Sequence, residues 1–233
     1  MPLRGPTIYR RINRPDPELS RSFAGISSAT VHESLPKGGT NVMHHSLKPV
    51  RLGMKVSGPA VTVESALADN LTVHVALTLC QPGDVLVVDA HGTAGVMFGA
   101  QMAYQAMRHG IAGIVVDGAV RDTEEIGRMG FPTFASLVSP LGSSKSTPGS
   151  VNVPVKCGGV LVTPGDIVVG DDDGVVVVPR AAAAGVLVRA RARAEKEEKT
   201  RALYDQGKTS MELNGYDRLL EEKNISILDG PEG

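Results

Sequence analysis

Two short, unbroken apolar runs, Val85–Asp89 (VLVVD) and Ile114–Asp117 (IVVD), constrain this chain more than any other feature. Strand-length runs without polar alternation must be covered on both faces, as strands of a parallel sheet flanked by helices are. The sequence around them supplies those helices. Leu71, Ala76, Leu77 and Leu79 fall on one side of a helix opened by Asp69-Asn70 and closed by Pro82-Gly83. Gly99, Met102, Ala103, Ala106 and Met107 form a second stripe with Gly110 as its stop, and Thr123–Met129 predicts a short helix before Phe131-Pro132. Strand and helix alternate as in βαβ units, so the fold class is α/β.

The flanks read differently. Residues 1–18 are polar and Pro-rich and predict an extended arm. A helix over Ser28–Leu35 ends at Pro36-Lys37-Gly38-Gly39. Met54–Glu64 alternates like a strand, with Gly58-Pro59 marking an edge or a bend. Between Val151 and Val178, Val-rich runs are separated by Pro164-Gly165-Asp166 and by Asp171–Gly174, which predicts antiparallel hairpins. A long helix then runs from Ala181 to about Tyr204, with Arg193/Glu197 and Glu197/Arg201 spaced for ion pairs. The chain thus divides into an arm (1–26), an α/β domain (27–180) and a C-terminal helix and tail (181–233).

Composition removes several classes of function. A net charge of -1 without a basic stripe argues against a nucleic-acid partner. No apolar stretch reaches the length of about 20 residues that a membrane span needs, and the polar N-terminus lacks a signal core. A cytoplasmic protein is expected. The two cysteines, Cys80 and Cys157, sit in apolar runs without CxxC spacing and read as buried reduced thiols.

In open α/β sheets, ligands bind beyond the carboxyl ends of the strands. Two loops qualify here: Ala90–Phe98 after the first run and Gly118–Asp122 after the second. The helix start at Gly99-Ala100-Gln101-Met102 offers unpaired amides suited to a carboxylate. Arg121 can grip the same carboxylate, and Asp122 supplies a hard oxygen for Mg²⁺ or Mn²⁺. Equally, Asp122 could cap the next helix and Arg121 could form a surface ion pair. His91, two residues past Asp89, is a further candidate. Asp171–Asp173 reads as a hairpin turn, Leu141–Thr147 (LGSSKST) lacks the phosphate-loop spacing, and His44, His45 and His74 read as loop, packing or surface residues. No lysine ends an inner strand and no nucleophile elbow appears, which disfavours Schiff-base and serine chemistry.

Taken together, CQPGDVLVVDAHGT, GIAGIVVDGAVRD, MGFPTFA and GDIVVGDDDGVVVVP resemble the RraA-like family, with further matches in SATVHES and RARAEKEEKTRALYDQGK, over about Ser27 to Lys208. That group includes divalent-metal-dependent 4-hydroxy-4-methyl-2-oxoglutarate and 4-carboxy-4-hydroxy-2-oxoadipate aldolases, and regulators that inhibit an RNA-degrading endonuclease. The resemblance implies a β/β/α core in trimers or hexamers with sites between subunits. It also implies pyruvate-releasing cleavage of a small oxo-acid, with oxaloacetate decarboxylation as a side activity. Arg121 would hold the pyruvyl carboxylate or enolate oxygen, Asp122 the Mg²⁺ or Mn²⁺, and the amides of Gly99–Met102 the carboxylate. Glu197 or Glu198 from a neighbour's C-terminal helix would reach the metal's water shell. The chain departs from the aldolase pattern at one point. Active aldolases carry an acid separated from the Arg-Asp pair by twenty residues, and here that position is Ala100. His91 or Asp89 is the expected substitute for proton transfer. Enolate chemistry on another oxo- or sugar acid is the related expectation.

Overall fold

A computed structural model describes residues 5–37, 41–228 and 230. It divides into two compact units, one ending at Ala190 and one beginning at Arg191.

The first unit is a mixed α/β fold. In chain order it holds α1 (Pro17–Arg21), α2 (Ser28–Glu33), β1 (Lys48–Pro49), β2 (Val56–Glu64), α3 (Leu71–Leu77), β3 (Val85–Asp89), β4 (Val96–Phe98), α4 (Ala100–Arg108), β5 (Gly113–Val120), α5 (Thr123–Met129) and β6 (Thr133–Val138). Five further strands follow: β7 (Ser150–Val151), β8 (Val155–Cys157), β9 (Val160–Val162), β10 (Ile167–Asp171) and β11 (Gly174–Val178). The main sheet runs β1-β6-β5-β3-β2-β10-β11, with β4 on β5 and β7 on β2, while β8 and β9 form a separate hairpin. The neighbours β2, β3, β5 and β6 are parallel, and β10 and β11 are antiparallel.

The apolar runs behave as their patterning requires. All five residues of β3 are buried, and α3 and α4 bury Val73, Ala76, Leu77, Ala103 and Ala106 against one face of the sheet core. Each fully buried Val or Leu is worth about 1.5–3 kcal/mol over its exposed state. The other face is closed by the Val-rich hairpins, whose Val155, Val160 and Val162 pack with Val85, Val87 and Val115.

Four local readings change. Gly58-Pro59 is a handover inside an interior strand and not an edge: Val56–Pro59 pair with β10, whereas Ala60–Glu64 pair with β3. Proline, with no amide hydrogen, fits where one ladder ends and another begins. Second, β5 runs on through Val120, so Gly118 to Val120, expected in a loop, lie within the strand, and Ala119 and Val120 pair with β4 and β6. Third, the expected loop Ala90–Phe98 contains β4. Fourth, the arm turns into α1 at Pro17, where Asp16 accepts hydrogen bonds from the Glu18 and Leu19 amides. The arm itself is tied down by Tyr9 N–H to the Val151 carbonyl at 3.1 Å and by a part-buried bidentate pair between Arg14 and Asp84. The expected stop at Gly38-Gly39 lies outside the described residues; α2 ends at Glu33.

The helix α6 (Ala183–Asp205) begins after a short 3-10 turn at Arg180–Ala182, and α7 (Ser210–Asn214) and α8 (Tyr216–Glu222) follow it. Along α6, Arg193 meets Glu197 at 3.0 Å as expected, but Arg201 pairs with Glu198 at 3.0 Å instead of Glu197. Of the thiols, Cys157 is buried and Cys80 only partly so; both are free. Burial pushes the Cys80 thiol up to about 12, with Asp84 adding to the effect. Among the described residues, no helix is long and apolar enough to cross a membrane.

Candidate functional site

The Arg121-Asp122 pair leaves the sheet where β5 ends. Val120 is held opposite Phe98 of β4, and the Arg121 N–H donates to the Phe98 carbonyl at 3.0 Å. Asp122 then takes a left-handed backbone (φ 56, ψ 35), which its short polar side chain tolerates better than most. That turn aims its carboxylate away from α5, so it does not cap that helix. Instead Oδ2 accepts the Ala100 N–H at 3.1 Å and stands 3.4 Å from Arg121 Nε. A Cβ on Gly99 would come within 2.8 Å of that same oxygen and 3.2 Å of Arg121 Cγ. Glycine there is what allows strand end and helix start to approach. Both side chains stay reachable, with 51% and 41% of their surface exposed.

The same site is also lined from α3 and the segment after β6. Asp69, not Asn70, supplies the cap of α3: its Oδ1 accepts the Leu71 N–H at 2.9 Å. Its Oδ2 gathers Ser144 Oγ (2.7 Å), Ser146 N–H (2.6 Å) and Thr147 N–H (2.8 Å). Burial opposes ionisation of Asp69, but these hydrogen bonds outweigh it and hold the carboxyl well below the usual range. The LGSSKST segment is therefore pinned by one carboxylate rather than shaped for phosphate. Asp69→Ala should cost about 3 kcal/mol in urea unfolding at neutral pH, since charged hydrogen bonds are lost and their donors orphaned. Because the folded-state pKa is depressed, this contribution is present above the ordinary carboxylate pKa and lost as pH falls through the folded value. The deficit of the variant should shrink in acid.

Here lies a cleft of about 220 Å³ whose lining includes Asn70, His74, Gln101, Arg121, Asp122 and Lys145. A second hollow, formed with Val138, Ser139 and Pro140, reaches Arg121 and Asp122 from another side. Gly99 and Met102 also line the cleft, and Ala100 is buried behind it. The first-turn amides of α4 have no carbonyl partner within the helix, and of these the Ala100 N–H is taken by Asp122.

His91 and Asp89 are not among the residues lining either hollow. His91 has a left-handed backbone, and its Nδ1 lies 3.3 Å from Asp89 Oδ1. Glu197 and Glu198 belong to the second unit and pair locally on α6. Asp171, as the hairpin reading required, binds Ser28 and the turn amide of Asp173. His44 and His45 lie in an exposed loop with tilted rings whose centroids are 4.0 Å apart. Sequence reading missed Asn70, His74 and Lys145 as cleft residues. No spacing signal joins them to Arg121, because the segment around Lys145 is brought there by Asp69.

Among the described residues, no three His, Cys, Asp or Glu side chains cluster as a closed metal site. Mg²⁺, however, keeps several waters and takes one or two carboxylates plus substrate oxygens. Asp122 fits such an open arrangement, since both of its contacts use Oδ2.

A family model described as RraA-like, Aldolase/RraA, matches residues 28–177. A protein of Halalkalibacterium halodurans, named provisionally as a 4-hydroxy-4-methyl-2-oxoglutarate aldolase, is 40% identical over 78% of this chain and 87% of its own. Streptomyces coelicolor RraAS2, described as an unusual member of the RNase ES inhibitor RraA family, superposes with a TM-score of 0.74 at 39% identity, covering 82% of this chain and 99% of that one. The RNA-processing inhibitor RraA from Thermus thermophilis gives 0.60 at 32% identity, over 65% and 92%. Relatives of this chain thus carry both aldolase and inhibitor names. With the model match and this identity in hand, the chain belongs to the RraA-like family.

Proposed function

We propose that this chain is a lyase that cleaves a carbon–carbon bond of a small oxo-acid and releases pyruvate, in the manner of a 4-hydroxy-4-methyl-2-oxoglutarate aldolase or an oxaloacetate decarboxylase. The observation that carries this reading is the junction of β5 and α4, where Arg121, Asp122 and the amide end of a helix share one cleft.

Cleavage leaves an electron pair on the three-carbon fragment, delocalised onto its keto oxygen. Arg121 donates hydrogen bonds to that oxygen or to the adjoining carboxylate, stabilising charge where it develops. The first-turn amides of α4 and its positive dipole end orient the carboxylate. Asp122 fixes the Arg121 side chain from one side. Asp122 is also the residue that would hold Mg²⁺ or Mn²⁺, which would supply Lewis-acid polarisation of the substrate's oxygens. The working unit is a homo-oligomer, trimer or hexamer, in the cytoplasm, in which Glu197 or Glu198 of a neighbour would help to hold the hydrated metal.

A second reading is favoured by one observation. Ala100 is 2% exposed and apolar where the aldolases carry an acid, and the likeness to RraAS2 extends over 99% of that chain. A regulator that binds an RNA-degrading endonuclease needs no such acid. Pyruvate release from oxaloacetate separates the two. The lyase should show turnover above the spontaneous rate with Mn²⁺ or Mg²⁺, abolished by EDTA and restored by the metal. No release under any metal, together with binding to the endonuclease, would establish the regulator.

A further inference from the structure

The aldolase reaction needs a group that takes a proton from the substrate's hydroxyl and one that returns a proton to the fragment left behind. Ala100 cannot do either, and His91 lines neither hollow. The cleft that holds Arg121 is also lined by side chains that can. Asn70 and His74 stand one helical turn apart at the start of α3, both lining the cleft. Asn70 Oδ1 and His74 Nε2 are buried and have no hydrogen-bond partner among the described residues. Buried polar atoms are almost always paired, and an unpaired one calls for a ligand, a water or a chemical role. Both residues line the same cleft, so its occupant is the partner nearest to hand.

We infer that His74 is the acid–base residue of this site, accepting the proton of the substrate's hydroxyl, and that Asn70 Oδ1 accepts a hydrogen bond from a water held beside the substrate. The inference rests on the lyase reading above. Burial, and then the positive charge of Lys145 in the same cleft, lower the His74 pKa. The ring is thereby kept neutral and able to accept a proton near pH 7.

The step balances without a further reactant. The imidazole nitrogen takes the hydroxyl proton, and the oxygen's electron pair becomes the new carbonyl of the departing fragment. The carbon–carbon bond breaks, and its electrons pass into the enolate held at Arg121. The imidazolium then returns its proton to the terminal carbon, giving the methyl group of pyruvate. Oxaloacetate decarboxylation has no hydroxyl proton to remove, and its enolate can be protonated by water.

That asymmetry supplies the test. His74→Gln and His74→Ala would be assayed for cleavage of 4-hydroxy-4-methyl-2-oxoglutarate, for exchange of pyruvate methyl protons in D₂O, and for oxaloacetate decarboxylation, with thermal unfolding as the control for folding. Both variants should lose about 100-fold or more in cleavage and in exchange while decarboxylation stays within about threefold. Equal losses in all three, or none, would overturn the role of His74. Wild-type decarboxylation without cleavage or exchange would overturn it too, leaving the lyase reading in place. A wild-type protein that releases pyruvate from neither substrate ends both.

Discussion

Arg121→Ala should lower kcat for pyruvate release from oxaloacetate by about 10²–10³-fold, the usual cost of deleting one donor to a developing oxyanion. The fold should not register the change. The Arg121 side chain is 51% exposed, and its ion-pair contact, with Asp122 at 3.4 Å, is a surface pair worth little to stability. A rate loss with an unchanged unfolding midpoint would therefore report on chemistry. Arg121→Lys should recover part of it, since a point charge replaces a planar fork that can grip a carboxylate through two parallel bonds. If Arg121→Ala turned over oxaloacetate at the wild-type rate, the site would have to be sought elsewhere.

A large loss of stability is expected at a residue that does not line the cleft. Gly58→Ala should destabilise the protein by about 3 kcal/mol or abolish soluble expression, at the upper end of what overpacking costs. A Cβ at this position would stand 2.1 Å from the Gly83 carbonyl oxygen and 3.2 Å from Val85 Cγ2. Neither neighbour can swing aside. Gly83 donates its own N–H to the Gly110 carbonyl, and Val85 is fully buried. Gly58 also sits beside the point where β2 exchanges one partner strand for another. Gly142→Ala makes the matched control, as a Cβ there meets nothing within 4 Å. Urea unfolding of the two variants should differ by nearly the whole effect, and similar midpoints would refute the close-approach argument.

The buried strands were legible in the sequence because full coverage leaves no room for polar residues. VLVVD and IVVD could hardly belong to anything else, and β3 and β5 lie where they stand. Legibility failed where local preference and tertiary pairing disagree. Gly118 reads as a turn, yet β5 continues through it, because a Cβ there would strike Ala90 at 2.7 Å and glycine is the residue that fits. β4 was hidden in a glycine-rich stretch because three residues carry no measurable period. Pro59 suggested an edge or a bend because a missing amide is usually tolerated there, and the handover between ladders satisfies the same physics in the sheet interior. Within the candidate site, Arg121 and Asp122 were marked by their place after a strand, a place that a cap and a surface ion pair explain equally well. The Asp122 contact with the Ala100 amide depends on the left-handed turn, which no residue pattern declares. His74 faces the cleft because Asp69 draws together two segments about 75 positions apart in the chain.

The positive φ of Asp122 also limits which replacements evolution or an engineer can make at that position without bending the chain. Asparagine and glycine tolerate that backbone readily, whereas valine, isoleucine or threonine would have to fight it. The charge can thus be erased in one step by an isosteric amide that leaves the scaffold untouched. A family member that had given up catalysis while keeping its shape would have an easy route through this residue.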